Sequence, residues 1–313
     1  MNTGERTPIS ARTVLLFAAV GVVAAVLGLV PWLITGMRLP LQNLWAEPVV
    51  APDGVTAAPE SMPIALLPFS QYALTFTATL LIAGAAVAGL AARLLRARAR
   101  RGAVVAVLAG VVLTQLVALL QSALTAAAGL QDRLESVVYL AAATTAGVVA
   151  IVMGAVVVVL IARAPAGAAV VGLSIGALAI VQWAQGLVYP IFSLVTQASP
   201  AIDAVLVWLP AVLVAAAIVW AGVSTVGRVI GALVSLLALW SGPAAITAIS
   251  SAAGTRVYAG YPFEMAEVVG QIFRAALLSP ATWRAVVAAA VIAAVGLTLR
   301  GPVLRRLGGA SPH

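Results

Sequence analysis

Residues 70–101 read SQYALTFTATLLIAGAAVAGLAARLLRARARR. The run carries no charge through residue 92, and then Arg93, Arg96, Arg98, Arg100 and Arg101 follow within a few positions. The hydrocarbon core of a bilayer is about 30 Å thick, and roughly 20 apolar residues cross it as a helix. Arginine beside a span is retained in the cytoplasm. The stretch therefore predicts both a transmembrane helix and its direction, with residue 70 outside and residue 101 inside.

The rest of the chain repeats this pattern. Apolar runs at about 13–35, 70–92, 103–124, 137–162, 168–189, 200–222, 229–249 and 280–299 predict an all-α integral membrane protein, a bundle of eight transmembrane helices. Arg6 and Arg12 precede the first run, Arg163 closes the fourth, Arg228 precedes the seventh, and Arg300, Arg305 and Arg306 follow the eighth. With the 93–101 cluster these make twelve of the seventeen arginines, all on the side of the N-terminus. Arg38, Arg133, Arg256, Arg274 and Arg284 lie on the other side, together with every acid except Glu5. Both termini are predicted to be cytoplasmic. Acids steer topology little, so their agreement is support and not cause. The basic start of the first run resembles a signal peptide, but the run is too long and no small-x-small site follows closely, so it reads as a retained signal-anchor.

Composition points the same way. A 63% hydrophobic and 8% charged chain of 313 residues lacks the polar surface of a soluble fold. All seventeen basic residues are arginine; with the abundance of Ala, Val and Gly, this suggests a GC-rich bacterial genome and places the protein in a bacterial cytoplasmic membrane. There is no cysteine, and the only histidine is His313. Haem, Fe–S clusters, His/Cys zinc sites and disulfides are thus not expected, and neither cofactor nor metal is predicted. The net charge of +8 comes from arginines flanking spans rather than from a basic stripe, so no nucleic-acid partner is expected.

Two connections are long. Residues 36–63 carry Glu47, Asp53 and Glu60 among several prolines and read as an exposed extracytoplasmic loop. Residues 251–278 contain a helical pattern from about 262 to 278. Glu264, Glu267, Gln271 and Arg274 recur at steps of three and four, opposite Met265, Val268, Val269, Ile272, Phe273 and Ala276. At about 24 Å this amphipathic helix is too short and too charged to cross, so it is expected to lie in the outer interface, as a strut or as a lid.

Aromatics and prolines crowd the outer halves. Only Phe17 and Trp220 of the eighteen aromatics map to the inner half. Two readings follow: an anchoring belt, or a vestibule for a ligand or partner. Pro31, Pro190, Pro210 and Pro243 would bend outer halves and open the bundle outward. A weak repeat is also visible, with segments three, five and seven starting near Gly102, Gly167 and Gly227, and segments six and eight opening on Ser199-Pro200 and Ser279-Pro280.

Deep charges would mark a transport pathway, and the chain has essentially none. Asp203 and Arg284 sit in first turns, within reach of the headgroups and, if their helices are neighbours, of each other. The polar candidates are Gln115 near mid-span, Gln121 further out, and Gln182 and Gln185 on one face of segment five. Amides in lipid require partners, either another helix or a wet pathway. Trp183, Trp208 and Trp240 are the aromatic candidates for ligand contact, and Asp203, Arg284, Glu264 and Glu267 are the outer-interface charges. Gly172-x-x-x-Gly176 allows close helix approach within the bundle. Asp132-x-x-Glu135 and Glu264-x-x-Glu267 are acid pairs with ordinary loop and helix-face explanations. No nucleotide loop, nucleophile elbow or metalloprotease motif is present, and no catalytic residue is assigned.

The expected function is that of a permease-like domain or accessory membrane subunit handling an apolar or amphiphilic ligand at the outer leaflet, leaning away from an enzyme. The partners expected are the lipid bilayer and a membrane protein or lipid-like ligand. The alternatives are a membrane-embedded transferase acting on a lipid-linked substrate, which needs acids to converge in a cleft, and a non-catalytic scaffold for partner membrane proteins.

Overall fold

Three helices begin on serine. Ser10 Oγ accepts the Thr13 amide at 3.3 Å, Ser199 Oγ the Ile202 amide at 3.4 Å, and Ser279 Oγ the Ala281 amide at 3.2 Å. Each bond satisfies a first-turn N–H that has no partner inside its helix. Pro200 and Pro280 follow the last two serines, at a position where a missing N–H is tolerated.

The computed structural model describes residues 10–39, 62–95, 101–192, 198–255 and 262–308, with side chains omitted for Arg101, Pro262 and 301–308. Most of the predicted 36–63 loop, including Trp45, Glu47, Asp53 and Glu60, lies outside the described residues, as do Glu5, Arg6, Arg96, Arg98, Arg100, Arg256 and His313. Among the described residues there are nine α-helices: α1 (Ala11–Leu33), α2 (Leu74–Leu94, entered through a 3-10 turn, Gln71–Ala73), α3 (Arg101–Gly129), α4 (Leu134–Arg163), α5 (Ala166–Val188), α6 (Pro200–Ala221), α7 (Val226–Gly254), α8 (Pro262–Leu277) and α9 (Pro280–Gly308). All but α8 are long and apolar enough to cross a membrane, which makes this a multi-pass membrane protein. The 30 residues of α4 reach about 45 Å at 1.5 Å per residue, longer than the oily core, so α4 must tilt or project. Pro31, Pro210 and Pro243 are accommodated inside α1, α6 and α7, which continue through them.

The spanning helices form two sets of four, α1–α4 and α5, α6, α7, α9, and the second set repeats the pairing of the first. In each set the first helix packs on the third, the second on the fourth, and the first on the second. This four-helix repeat differs from a repeat of hairpins starting near Gly102, Gly167 and Gly227. Gly167 and Gly227 do meet, but across the α5–α7 crossing. The sets join chiefly where α5 packs on α2 and α4. Helix α2 is central, 67% buried along its apolar stretch against 11% for α9.

Small residues set the closest crossings. A Cβ on Gly21 would stand 2.1 Å from the Val107 carbonyl oxygen, and one on Gly231 2.0 Å from that of Gly167, so α1–α3 and α5–α7 touch backbone to backbone. Gly172 faces Leu160 and Ile161 of α4, and Gly176 faces Ala86 of α2, so that pair serves internal packing.

Chain alternation gives the bundle two ends. The starts of α2, α4, α6 and α9 share one end, here termed the acidic face, because all the described acids lie there: Asp132, Glu135, Asp203, Glu264 and Glu267. The opposite end, the arginine face, carries Arg12, Arg93, Arg163, Arg228 and Arg300. Helix α8 lies along α7, with Glu264, Glu267, Gln271 and Arg274 exposed and Met265, Val268, Val269, Ile272 and Phe273 half-buried.

Candidate functional site

At the acidic face the mouth of the α1–α4 set is filled. Residues 62–70 fold back into it as an extended strap, and Ala65, Leu67 and Ser70 are completely buried. Buried extended backbone needs partners for its N–H and C=O groups, and each neighbouring helix supplies at least one. Trp32 Nε1 of α1 donates to the Ala65 carbonyl at 2.8 Å. On α3, Gln121 Oε1 accepts the Leu66 amide at 2.8 Å, its Nε2 donates to the Ile64 carbonyl at 3.0 Å, and Ser122 Oγ accepts the Leu67 amide at 2.8 Å. Tyr139 of α4 donates to the Phe69 carbonyl at 2.8 Å, and Thr77 of α2 to that of Pro68 at 3.2 Å. The strap also pairs with residues 37–39 through Leu39 N to Pro63 O and Ala65 N to Met37 O, both 2.9 Å. Of the described ends of the predicted 36–63 loop, Leu39 is buried; it joins Leu67 and Phe69 of the strap, just beyond that loop, in the apolar cluster around Trp32, Leu80 and Leu81.

Gln121 is therefore a backbone clamp. Gln115 has a similar task deeper in the bundle. It is 1% exposed and donates to the Leu81 carbonyl of α2 at 2.7 Å, tying α3 to α2, while its Oε1 is buried with no hydrogen-bond partner.

Gln182 and Gln185 are placed differently. They line a cavity of about 260 Å³ between the start of α2 and the end of α5, with Thr75, Phe76, Thr79, Gly186, Tyr189 and Ile191. Neither amide is hydrogen-bonded to another described side chain or backbone group. Gly186 lets the ring of Phe76 lie directly on α5 as one wall of the cavity: a Cβ there would stand 2.5 Å from that ring. Thr75 Oγ1 is 2.7 Å from Ser250 Oγ and links this wall to α7. Tyr189 donates its phenol hydrogen to Asp203 Oδ1, so Asp203 is held at the rim by a tyrosine and not by Arg284. Arg284 is exposed and donates to the Pro280 carbonyl of its own helix at 3.2 Å.

The tryptophan candidates stand outside this cavity. Trp183 Nε1 donates to the Leu27 and Gly28 carbonyls at 3.1 and 3.0 Å, bonding α5 to α1 across the two sets. Trp240 Nε1 donates to the Leu277 carbonyl at 3.1 Å, and its ring lies 5.1 Å from that of Trp283, so it anchors α8. Trp208 is 45% exposed on the outer surface of α6. The aromatic excess at this face is thus divided between struts and surface, and the rings that reach the cavity are Phe76 and Tyr189. Thr75 and Thr79, one helical turn apart on α2, complete the polar lining. Their spacing is readable from sequence, but their partner helix is not.

Among the described residues, the acids do not share a cavity. Glu264 and Glu267 lie on the exposed side of α8, where Gln271 donates to Glu267 at 3.2 Å. Among the described residues no group of three His, Cys, Asp or Glu side chains is placed to hold a metal. Two further cavities are open grooves, one of about 370 Å³ between α1, α3 and Leu66 of the strap, and one of about 540 Å³ between the starts of α5 and α7. No acid lines any of the three. No protein-family model, no curated protein and no solved structure matches this chain.

Proposed function

We propose that the protein is a non-enzymatic, permease-like domain or accessory subunit of a bacterial cytoplasmic membrane, with both termini cytoplasmic, that takes an apolar or amphiphilic ligand at the outer leaflet. The acidic face is then extracytoplasmic and α8 rests in the outer interface. The orientation is supported by the arginine distribution. The site is supported above all by one observation: two amides, Gln182 and Gln185, open into a cavity without partners. An amide bordering lipid without a partner is costly, and a ligand's polar end, or water displaced by it, offsets that cost. A volume of about 260 Å³ lies just under the 300–1,000 Å³ of common ligand sites. The cavity therefore suits one end of a chain-like molecule better than a whole drug-sized one.

Two measurements test this reading. The chain has no cysteine, so single probes are unambiguous. An impermeant maleimide applied to intact cells should label Asp132→Cys and leave Ser224→Cys untouched; the reverse would overturn the orientation. Thermal unfolding of the purified protein should rise with a neutral single-chain lipid or a hydrophobic peptide. No shift across a panel of both would remove the ligand reading and leave the scaffold.

A further inference from the structure

At the arginine face, guanidinium groups converge where helix α6 ends. Gly222 closes α6 with φ +71, a left-handed conformation that glycine adopts freely. The space where its Cβ would stand is occupied by arginine: Arg300 Nη1 lies 2.6 Å and Arg228 Nη1 3.9 Å from that point. Two residues earlier, the Arg93 guanidinium lies 4.7 Å from the centre of the Trp220 ring. Three positive side chains from α2, α7 and α9 thus gather around one helix end.

Arg93 is committed to the end of α4, donating to the Ile161 and Ala164 carbonyls at 2.5 and 3.3 Å, and local hydrogen bonds account for part of the placement of the other two. Arg300 donates to the Val219 carbonyl at 2.7 Å, and Arg228 to Ser224 Oγ at 2.8 Å. Each guanidinium has five N–H donors, and a helix end takes up few of them. No described acid lies on this face to balance the charge, since all of them sit at the other end of the bundle. Like charges held together repel, and the repulsion is greater beside lipid than in water. For Arg228 and Arg300, an anion from outside the described residues would offset this repulsion.

The neighbouring groove indicates what brings it. Arg228 stands at the edge of the cavity of about 540 Å³ between α5 and α7, with Thr225 beside it and Val171, Ile230 and Val234 continuing as apolar wall. A charged rim that leads into an apolar cleft between spanning helices matches a molecule with a phosphate at one end and a hydrocarbon chain at the other. We infer that this groove is a binding site for an anionic phospholipid of the adjoining leaflet, its phosphate on Arg228 and Arg300 and an acyl chain along Val171, Ile230 and Val234. The site is separate from the cavity between α2 and α5 and does not depend on a ligand there.

The experiment compares the full-length protein in neutral detergent with added phosphatidylglycerol, phosphatidylcholine or inorganic phosphate, read by native mass spectrometry and by unfolding temperature. Phosphatidylglycerol should be retained preferentially and should raise the unfolding temperature. Arg228→Gln should lower that preference about five-fold, as expected for one near-surface cation. Because Arg300 also caps α6, its variant is replaced by Val234→Trp, which fills the cleft and should remove the lipid adduct while leaving Arg228 in place. Equal retention of the two lipids would overturn the proposal, as would an unchanged preference in Arg228→Gln. An equal shift from inorganic phosphate alone would assign the arginines to a free anion and overturn the lipid assignment. A neutral ligand that still stabilises Arg228→Gln would leave the α2–α5 site standing, so failure at one site is distinguishable from failure at the other.

Discussion

Two openings at the acidic face are finished in opposite ways. The mouth of the α1–α4 set is sealed by residues 62–70, and side chains from all four helices satisfy the strap's backbone. The gap between α2 and α5, one helix away, keeps a cavity and two amides without partners. Both regions draw on the same residue types, glutamine and hydroxyls on apolar helices. Polarity in a span therefore does not indicate a pathway. What separates the two regions is whether a stretch of chain arrives to bond the amide. Gln121 has such a stretch, whereas Gln182 and Gln185 do not.

The largest effect should come from breaking the seal. Gln121→Leu combined with Ser122→Ala leaves the Leu66 and Leu67 amides buried and unpaired, at about 1–3 kcal/mol each. Unfolding in mixed detergent would measure this loss, and Leu66→Cys in that background should become reactive to maleimide. If stability were unchanged, the strap would not be a structural seal.

Filling the cavity should cost less. Gly186→Ala drives its new Cβ against the Phe76 ring and pushes the ring into the open space, a strain of about 1–3 kcal/mol. Any ligand-dependent rise in unfolding temperature should disappear with it, and a retained rise would place the ligand elsewhere.

The smallest effect is expected at the free amides themselves. Gln182→Leu and Gln185→Leu remove no hydrogen bond to a described residue, so stability should change by less than about 0.5 kcal/mol or increase slightly. The ligand response should nonetheless weaken. A loss as large as that of the Gln121 variant would mean that the two regions do not differ as described.

Much of the architecture was legible beforehand because hydropathy and cap chemistry act locally. The spanning helices and the serine-proline starts at Ser199 and Ser279 follow from residues within a few positions of one another. The candidate site was only half legible. Gln182 and Gln185 could be singled out as amides in a span, but so could Gln115 and Gln121, which serve as struts. Trp183 and Trp240 read as ligand aromatics, yet their indole N–H groups are spent on backbone carbonyls of α1 and α8. Phe76 and Tyr189 read only as two of the many outer aromatics, since nothing near them in sequence shows that they meet at one cavity between α2 and α5.

What the sequence determined by itself is the number and length of apolar helices and the unequal placement of charge about them, because the cost of moving a peptide and its side chains into hydrocarbon adds residue by residue. Which polar group is satisfied and which is left open was decided only by tertiary structure, because a hydrogen bond or a void depends on what the rest of the chain brings within about 3 Å of that atom.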